Sequence, residues 1–515
     1  MLMVRVLEDK GLTPRVFTNG GAALWFNQVE PHYFSLARGR STARLLEIAY
    51  ENAQATYAHF YDDHRVFDWY VPDRITVIRV LHRLAGFDLS AMDRDIIGTI
   101  YGRFVNDRHK HEQGMYYTPP GVVGFILDRV GWSGPATVGA RLLDPACGSG
   151  AFLVEAARRA IEAHRVQAQA EGYPEVPPQR VQAVLDSLRD GLVGFDLNPF
   201  ACALAEINLL VQVLDLVAHA HRHGEQGRLE RFRVYATDAL RVLPAARAIL
   251  QRGLDPSEAE DLPEEEQAKV GLGAFADGFD VVVGNPPYVR ADEGAAGLLR
   301  YRRVVEGHPV LQPLQILTQK WDLFIPFVAL GMHLLRRPEG RLGMIVSNAV
   351  ETVLYAGPLR RHLTAGTTMR EVHFFEPGVK LFEDAAVRNT ILVAEAAPPV
   401  ADSDTLREWH DAAPPQAVRR QRLPQADYGT EVFRPALPAL RLPADAPAHA
   451  VKHICYVSVG MVLNAHEQLA PGEFKLDDLI ADRPDVVHIR PYVGSEDLRL
   501  VNATMGDFPF GIVIK

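Results

Sequence analysis

Asn285-Pro286-Pro287-Tyr288 is the stretch of this chain best equipped for chemistry. It follows Val281-Val282-Val283, a β-branched run that reads as a buried strand, and the two prolines forbid that strand's continuation by removing amide donors and fixing φ. A stiff turn therefore presents a side-chain amide, a backbone carbonyl and an aromatic ring at the carboxyl end of a strand, where open α/β sheets bind ligands. The Asn285 side-chain oxygen and the Pro286 carbonyl can accept from a planar exocyclic amino group and draw its lone pair out of conjugation, while Tyr288 stacks on the ring. Methylation of such a nitrogen needs orientation rather than a strong base. The same four residues would also make an ordinary strand-exit turn, so the rest of the chain decides.

A second loop is equipped to hold a nucleotide-like ligand. Asp144-Pro145-Ala146-Cys147-Gly148-Ser149-Gly150 lies between the strand-like Arg141-Leu142-Leu143 and a helical run beginning at Ala151. Gly148 and Gly150 let backbone approach a ligand closely, and Asp144 suits a cationic amino group. The loop is neither Gly-x-Gly-x-x-Gly nor a phosphate-binding Gly-Lys-Ser/Thr. Cys147 reads as a small filler. Ahead of it, Tyr116-Tyr117-Thr118-Pro119-Pro120 fits a helix start capped by Thr118, with a cofactor contact as its functional reading.

Two further strands end in carboxylates. Asp196, closing Leu192-Val193-Gly194-Phe195, is placed to accept from ribose hydroxyls, with an insertion marked by Pro174, Pro177 and Pro178 separating it from the glycine loop. Asp238, after Val234-Tyr235-Ala236, could accept from an adenine amino group. Later strands are expected at 340–348, 372–375 and 389–393, and Phe382 between the last two could wall a base pocket. His219, His221 and His223 alternate at a helix end and do not share one face, which weighs against a metal site. Pro72-Asp73 begins like a metal-dependent nuclease pattern, but no acidic-x-Lys follows.

The chain of 515 residues is long enough for two or three domains, and 48% apolar with 23% charged residues is a globular composition. A net charge of -10 excludes a uniformly basic nucleic-acid coat without excluding a local basic cleft; Arg300-Tyr301-Arg302-Arg303 is one such stretch, with a solvated helix face as its plainer reading. No uninterrupted apolar stretch reaches the roughly 18 residues of a membrane span, and the start lacks a signal-peptide core, so a cytoplasmic location without membrane contact is expected. Cys147, Cys202 and Cys455 are far apart in sequence and suggest neither disulfides nor zinc. Residues 1–113 show helical spacings, as at Val77, Val80, Leu81 and Leu84 and again at Ile96, Ile97, Ile100 and Phe104. Glu258 to Glu266 reads as an acidic linker. Beyond about Ala396 prolines recur and short β-like runs such as 453–459 appear, which places a boundary there, and the apolar close at 510–515 reads like a strand cut mid-domain.

Taken together, Tyr116-Tyr117-Thr118-Pro119, Asp144 to Gly150, Asp196, Asp238 and Asn285-Pro286-Pro287-Tyr288 resemble the N6-adenine DNA methyltransferases of restriction-modification and phage-defence systems, over about residues 95 to 395. The resemblance implies an α/β, Rossmann-like, S-adenosylmethionine-dependent fold with a mixed seven-stranded sheet over 114–396. A helical region over 1–113 would precede it and a target-recognition region over 397–515 would follow. It implies a flipped adenine held by Asn285, Pro286, Pro287 and Tyr288 beside Phe382. It also implies a cofactor held by Tyr117, Thr118, Asp144, Ala146, Gly148, Gly150, Asp196, Leu197 and Asp238, with double-stranded DNA and further defence-system subunits as partners. Two rival readings stand beside it. The same turn looks like that of enzymes methylating a protein glutamine amide, which are usually small. A non-catalytic DNA-binding subunit that kept the fold is the other, and the intact Asn285 and Asp196 speak against it.

Overall fold

A computed structural model describes residues 1–34, 38–54, 57, 72–92, 118–225, 227–242, 277–288, 302–303, 305–317, 321–376, 378–382, 388–400, 403–425 and 433, which fall in one compact unit ending at Pro435. Tyr116, Tyr117, Ile96, Ile97, Ile100, Phe104, Arg300, Tyr301, the acidic run 258–266 and the stretches 453–459 and 510–515 lie outside these residues.

The organising element is a mixed sheet of strands β1 (Leu142–Asp144), β2 (Leu192–Asp196), β3 (Arg233–Ala236), β4 (Val281–Gly284), β5 (Arg341–Ser347), β6 (Thr368–Phe375), β7 (Asn389–Glu395), β8 (Asp404–His410) and β9 (Ala417–Pro424). Their order is β3-β2-β1-β4-β5-β7-β6-β8-β9. Nine strands stand where seven are expected, because β8 pairs in parallel with β6 and β9 pairs antiparallel with β8. The change of composition near Ala396 thus falls between two strands of one sheet. β9 hides its signal because it is an edge strand carrying Arg419, Arg420 and Arg422, a charged rim of the kind that discourages further strand pairing.

Alternation along the strands sends successive residues to opposite faces. Leu142, Val281, Val283 and Ile345 join one buried cluster, whereas Leu143, Val282, Met344 and Val346 join the other. The main helices are α1 (Leu2–Asp9), α2 (Arg38–Gln54), α3 (Arg74–Leu84), α4 (Pro120–Arg129), α5 (Ala151–Ala170), α6 (Val181–Gly191), α7 (Pro199–Arg222), α8 (Phe324–Leu334) and α9 (Gly357–Gly366). Helices α1 to α7 supply buried residues to the first cluster, and α8 and α9 supply the second. Helix α7 is long and apolar enough to cross a membrane by length and composition alone, but 78% of its apolar window is buried among these elements, as in a core helix. The Asp73 side chain accepts from the Thr76 amide at 2.6 Å and so caps α3, giving this aspartate an ordinary helix-starting role.

Candidate active site

Strands β3, β2, β1, β4 and β5 run parallel, with Leu142 opposite Leu192 on one side and Val281 on the other. Asp144, Asp196 and Gly284 therefore all sit at carboxyl ends, with β1 at the point where the strand order turns.

The glycine loop leaves β1 through two left-handed residues. Gly148 has φ +53° and Gly150 φ +90°, and a Cβ on Gly150 would come within 2.9 Å of the Ala205 Cβ on α7. Bonds to β2 and α7 tie the loop down. The Cys147 amide donates to the Phe195 carbonyl at 2.8 Å, the Gly148 amide to Asp196 Oδ2 at 3.0 Å, and the Asn208 side-chain amide to the Ser149 carbonyl at 3.0 Å. Asp196 also accepts from the Asn198 amide at 2.8 Å, and burial pushes its carboxyl above the usual range against these bonds. Leu197 and Phe200, just past β2 in the chain, are exposed apolar side chains.

Asp144 is buried and accepts from the Ala146 amide at 3.1 Å. Burial pushes its carboxyl up to about 8, and the nearby Asp196 adds to the rise. A Cβ on Gly284 would lie 3.1 Å from Asp144 Oδ1, so the residue before Asn285 must be small for the two loops to meet. Asp238 is buried at the end of β3, where it accepts from the Leu240 amide at 3.0 Å. Cys147 and Cys202, distant in sequence, touch: their hydrogen bond and then burial push the Cys147 thiol well above its normal value, which suits packing rather than reactivity.

At the end of β4 the Asn285 side-chain amide donates to Thr118 Oγ1 at 3.1 Å, and its oxygen accepts from the Tyr288 hydroxyl at 2.5 Å. The Tyr288 hydroxyl also lies 3.4 Å from the Ile345 carbonyl on β5. The Tyr288 and Phe382 rings are 6.2 Å apart between centroids at 59°. Thr118 does not cap α4, whose N-cap is Pro119 and carries no side-chain bond; its hydroxyl meets Asn285 instead. Asn285, Tyr288, Phe382 and Thr118 thus form one cluster, and Asp144, Ala146, Gly148, Gly150 and Asp196 another on the adjoining strands. Of the basic stretch, Arg302 bonds Glu306 at 2.7 Å and lies over the Trp321 ring, while Arg303 is exposed. His219 contacts Glu175 at 3.0 Å and lies against His223.

A glycine loop after the first strand, acidic side chains closing the next strands and an amide-bearing turn after the fourth make a Rossmann-like arrangement at the carboxyl ends of the parallel strands, suited to a nucleotide-like ligand. The chain matches the N-6 DNA Methylase family over residues 92–240 and the Eco57I restriction-modification methylase family over residues 190–382. It is similar to an adenine-specific methyltransferase, PglX, of Streptomyces coelicolor, at 28% identity over 49% of this chain and 20% of that protein. It is also similar to the type II methyltransferase M.BstVI of Geobacillus stearothermophilus, at 25% identity over 50% of this chain and 38% of that one. Among solved structures, the type IIG restriction endonuclease BpuSI aligns with a TM-score of 0.49 at 15% identity, over 84% of this chain and 43% of that chain. The resemblance to N6-adenine methyltransferases of restriction-modification systems is borne out by the two families and these curated relatives, of whose length the chain spans well under half.

Proposed function

We propose that this chain transfers a methyl group from S-adenosylmethionine to N6 of an adenine in double-stranded DNA, within a restriction-modification or phage-defence system. The observation that carries the reading is the position of Asn285 at the end of β4, beside the glycine loop and Asp144 at the end of β1.

The residues fit the cofactor. Gly148 is left-handed with open space where a Cβ would stand, Asp196 offers a carboxylate beside it, and Leu197 and Phe200 give apolar surface for a purine. In this reading Asp144 takes the cationic methionine end, Asp196 the ribose and Asp238 the adenine, with Tyr117, Thr118 and Ala146 bordering the cofactor. The bound cofactor supplies an electrophilic methyl group. Asn285 Oδ1 and the Pro286 carbonyl accept from the two hydrogens of the adenine amino group, which frees its lone pair for attack. For Asn285 Oδ1 to do so, the Tyr288 hydroxyl must release it, and the phenol ring then stacks on the extruded base with Phe382 behind it. Pro287 keeps the turn rigid.

The wider organisation belongs to the same proposal. We read 1–113 as a helical N-terminal domain, 114–396 as the methyltransferase domain and 397–515 as a target-recognition domain, with the described strands β8 and β9 lying in the same sheet as β1 to β7. The enzyme works in the cytoplasm and away from membranes, with partner subunits of its defence system.

Expression in cells lacking adenine methylation, followed by sequencing that detects N6-methyladenine, tests the reading. Wild type should mark a defined DNA site, and Asn285→Ala should lower the rate at least about a hundredfold. Methyl transfer from radiolabelled cofactor to protein but not to DNA would favour a glutamine acceptor. Cofactor binding without transfer to either would favour a non-catalytic subunit.

A further inference from the structure

The sheet carries a second constellation, built from residues that none of the motifs above uses. Strands β6 and β8 each contain a Glu-x-His triplet, Glu371-Val372-His373 and Glu408-Trp409-His410. The alternation of a strand puts the Glu and His of each triplet on one face, and the parallel register sets His373 opposite Glu408 and Phe375 opposite His410. Helix α4 covers that face: the Phe125 ring stands edge-on to His373 at 4.9 Å and to His410 at 5.6 Å. His373, Glu408 and His410 are buried.

From this arrangement we infer that His373, Glu408 and His410 form a structural site for one divalent first-row transition-metal ion, zinc foremost, locking β6, β8 and α4 together.

Three observations carry the inference. The donor atoms converge: His373 Nδ1 is 3.1 Å from His410 Nε2 and 3.2 Å from Glu408 Oε2, and the remaining pair is 3.9 Å apart. An ion about 2.0–2.2 Å from each nitrogen and oxygen ligand needs donors spaced on this scale. The donor set, two imidazoles and one carboxylate, is one that such ions favour. Behind the first ligand, Glu371 Oε2 lies 2.9 Å from His373 Nε2, the carboxylate partner that fixes a ligating imidazole's tautomer and turns its other lone pair toward the ion. Arg129 at 3.2 Å and Arg420 at 2.7 Å brace the Glu408 carboxylate. The competing occupant of the same space is a proton on His373, bridging Glu371 and Glu408 with Arg129 alongside.

Because the ligands are buried, the ion is acquired during folding. The test therefore uses the full chain produced in zinc- or cobalt-supplemented medium, purified without a metal-affinity step and passed through a mild chelator. Elemental analysis should find about one metal per chain, and the cobalt form should show the visible absorption of cobalt bound to nitrogen and oxygen. Both should disappear in His410→Gln, persist in His219→Gln, and be retained less firmly in Glu371→Gln, which keeps all three ligands. Wild type that emerges folded with less than a tenth of an equivalent of metal overturns the inference in favour of the proton. Equal loading of wild type and a folded His410→Gln overturns it in favour of adventitious binding.

Discussion

Asp144, proposed to take the cationic end of the cofactor, is set against the stability of its own fold. Its carboxyl titrates near 8 in the folded chain and near 4 when unfolded, so between these values the folded state holds a proton that the unfolded state has lost. The group's contribution is unpenalised below about pH 4, declines as pH rises to about 8 and is level beyond. Asp144→Asn removes the charge while keeping an acceptor for the Ala146 amide, and should melt higher than wild type at pH 8 in calorimetry while losing cofactor affinity. Wild type should release protons on binding a cationic cofactor below pH 8, seen as a dependence of the binding heat on buffer ionisation enthalpy. At Gly150, alanine would meet both a left-handed backbone and the Ala205 Cβ, costing about 1–3 kcal/mol in denaturant titrations. Residues of this kind were legible in the sequence because turn chemistry is local: glycines after a strand and prolines after an amide state their geometry within a few positions. The Thr118 to Asn285 bond spans 167 positions and was not, nor was the meeting of Cys147 with Cys202. The two Glu-x-His triplets are visible as text, but only the pairing register of β6 with β8 makes them one cluster.

Among elements, strands and helices with strong apolar periodicity could be read directly, and the parallel run from β3 to β5 follows from them. β8 and β9 could not, since they come after a proline-bearing stretch and most of β9 is exposed to solvent. Their structural weight is nevertheless large. Trp409 on β8 stacks on Phe374 of β6 at 5.1 Å and is covered by the Arg419 guanidinium of β9 at 3.5 Å. Trp409→Ala should cost about 3–5 kcal/mol, read as a shift in the unfolding midpoint. A chain ended at residue 396 would leave the β6 edge unpaired and its aromatic face bare, and should elute as aggregate in gel filtration where the full chain does not.

At the scale of the molecule, the carboxyl ends of β1 to β4 gather the residues assigned to binding and transfer, while helices such as α5 return the chain to the opposite rim. The 20 residues of α5 carry the chain about 30 Å from Gly150 before residues 171–175, which are exposed. A short flexible insertion after Gly172 should therefore leave cofactor affinity in calorimetry within twofold of wild type, whereas an equal insertion after Gly148 should abolish it. The sheet thereby works as a partition: ancestry and engineering alike can graft new appendages onto one shore without retuning the machinery moored on the other.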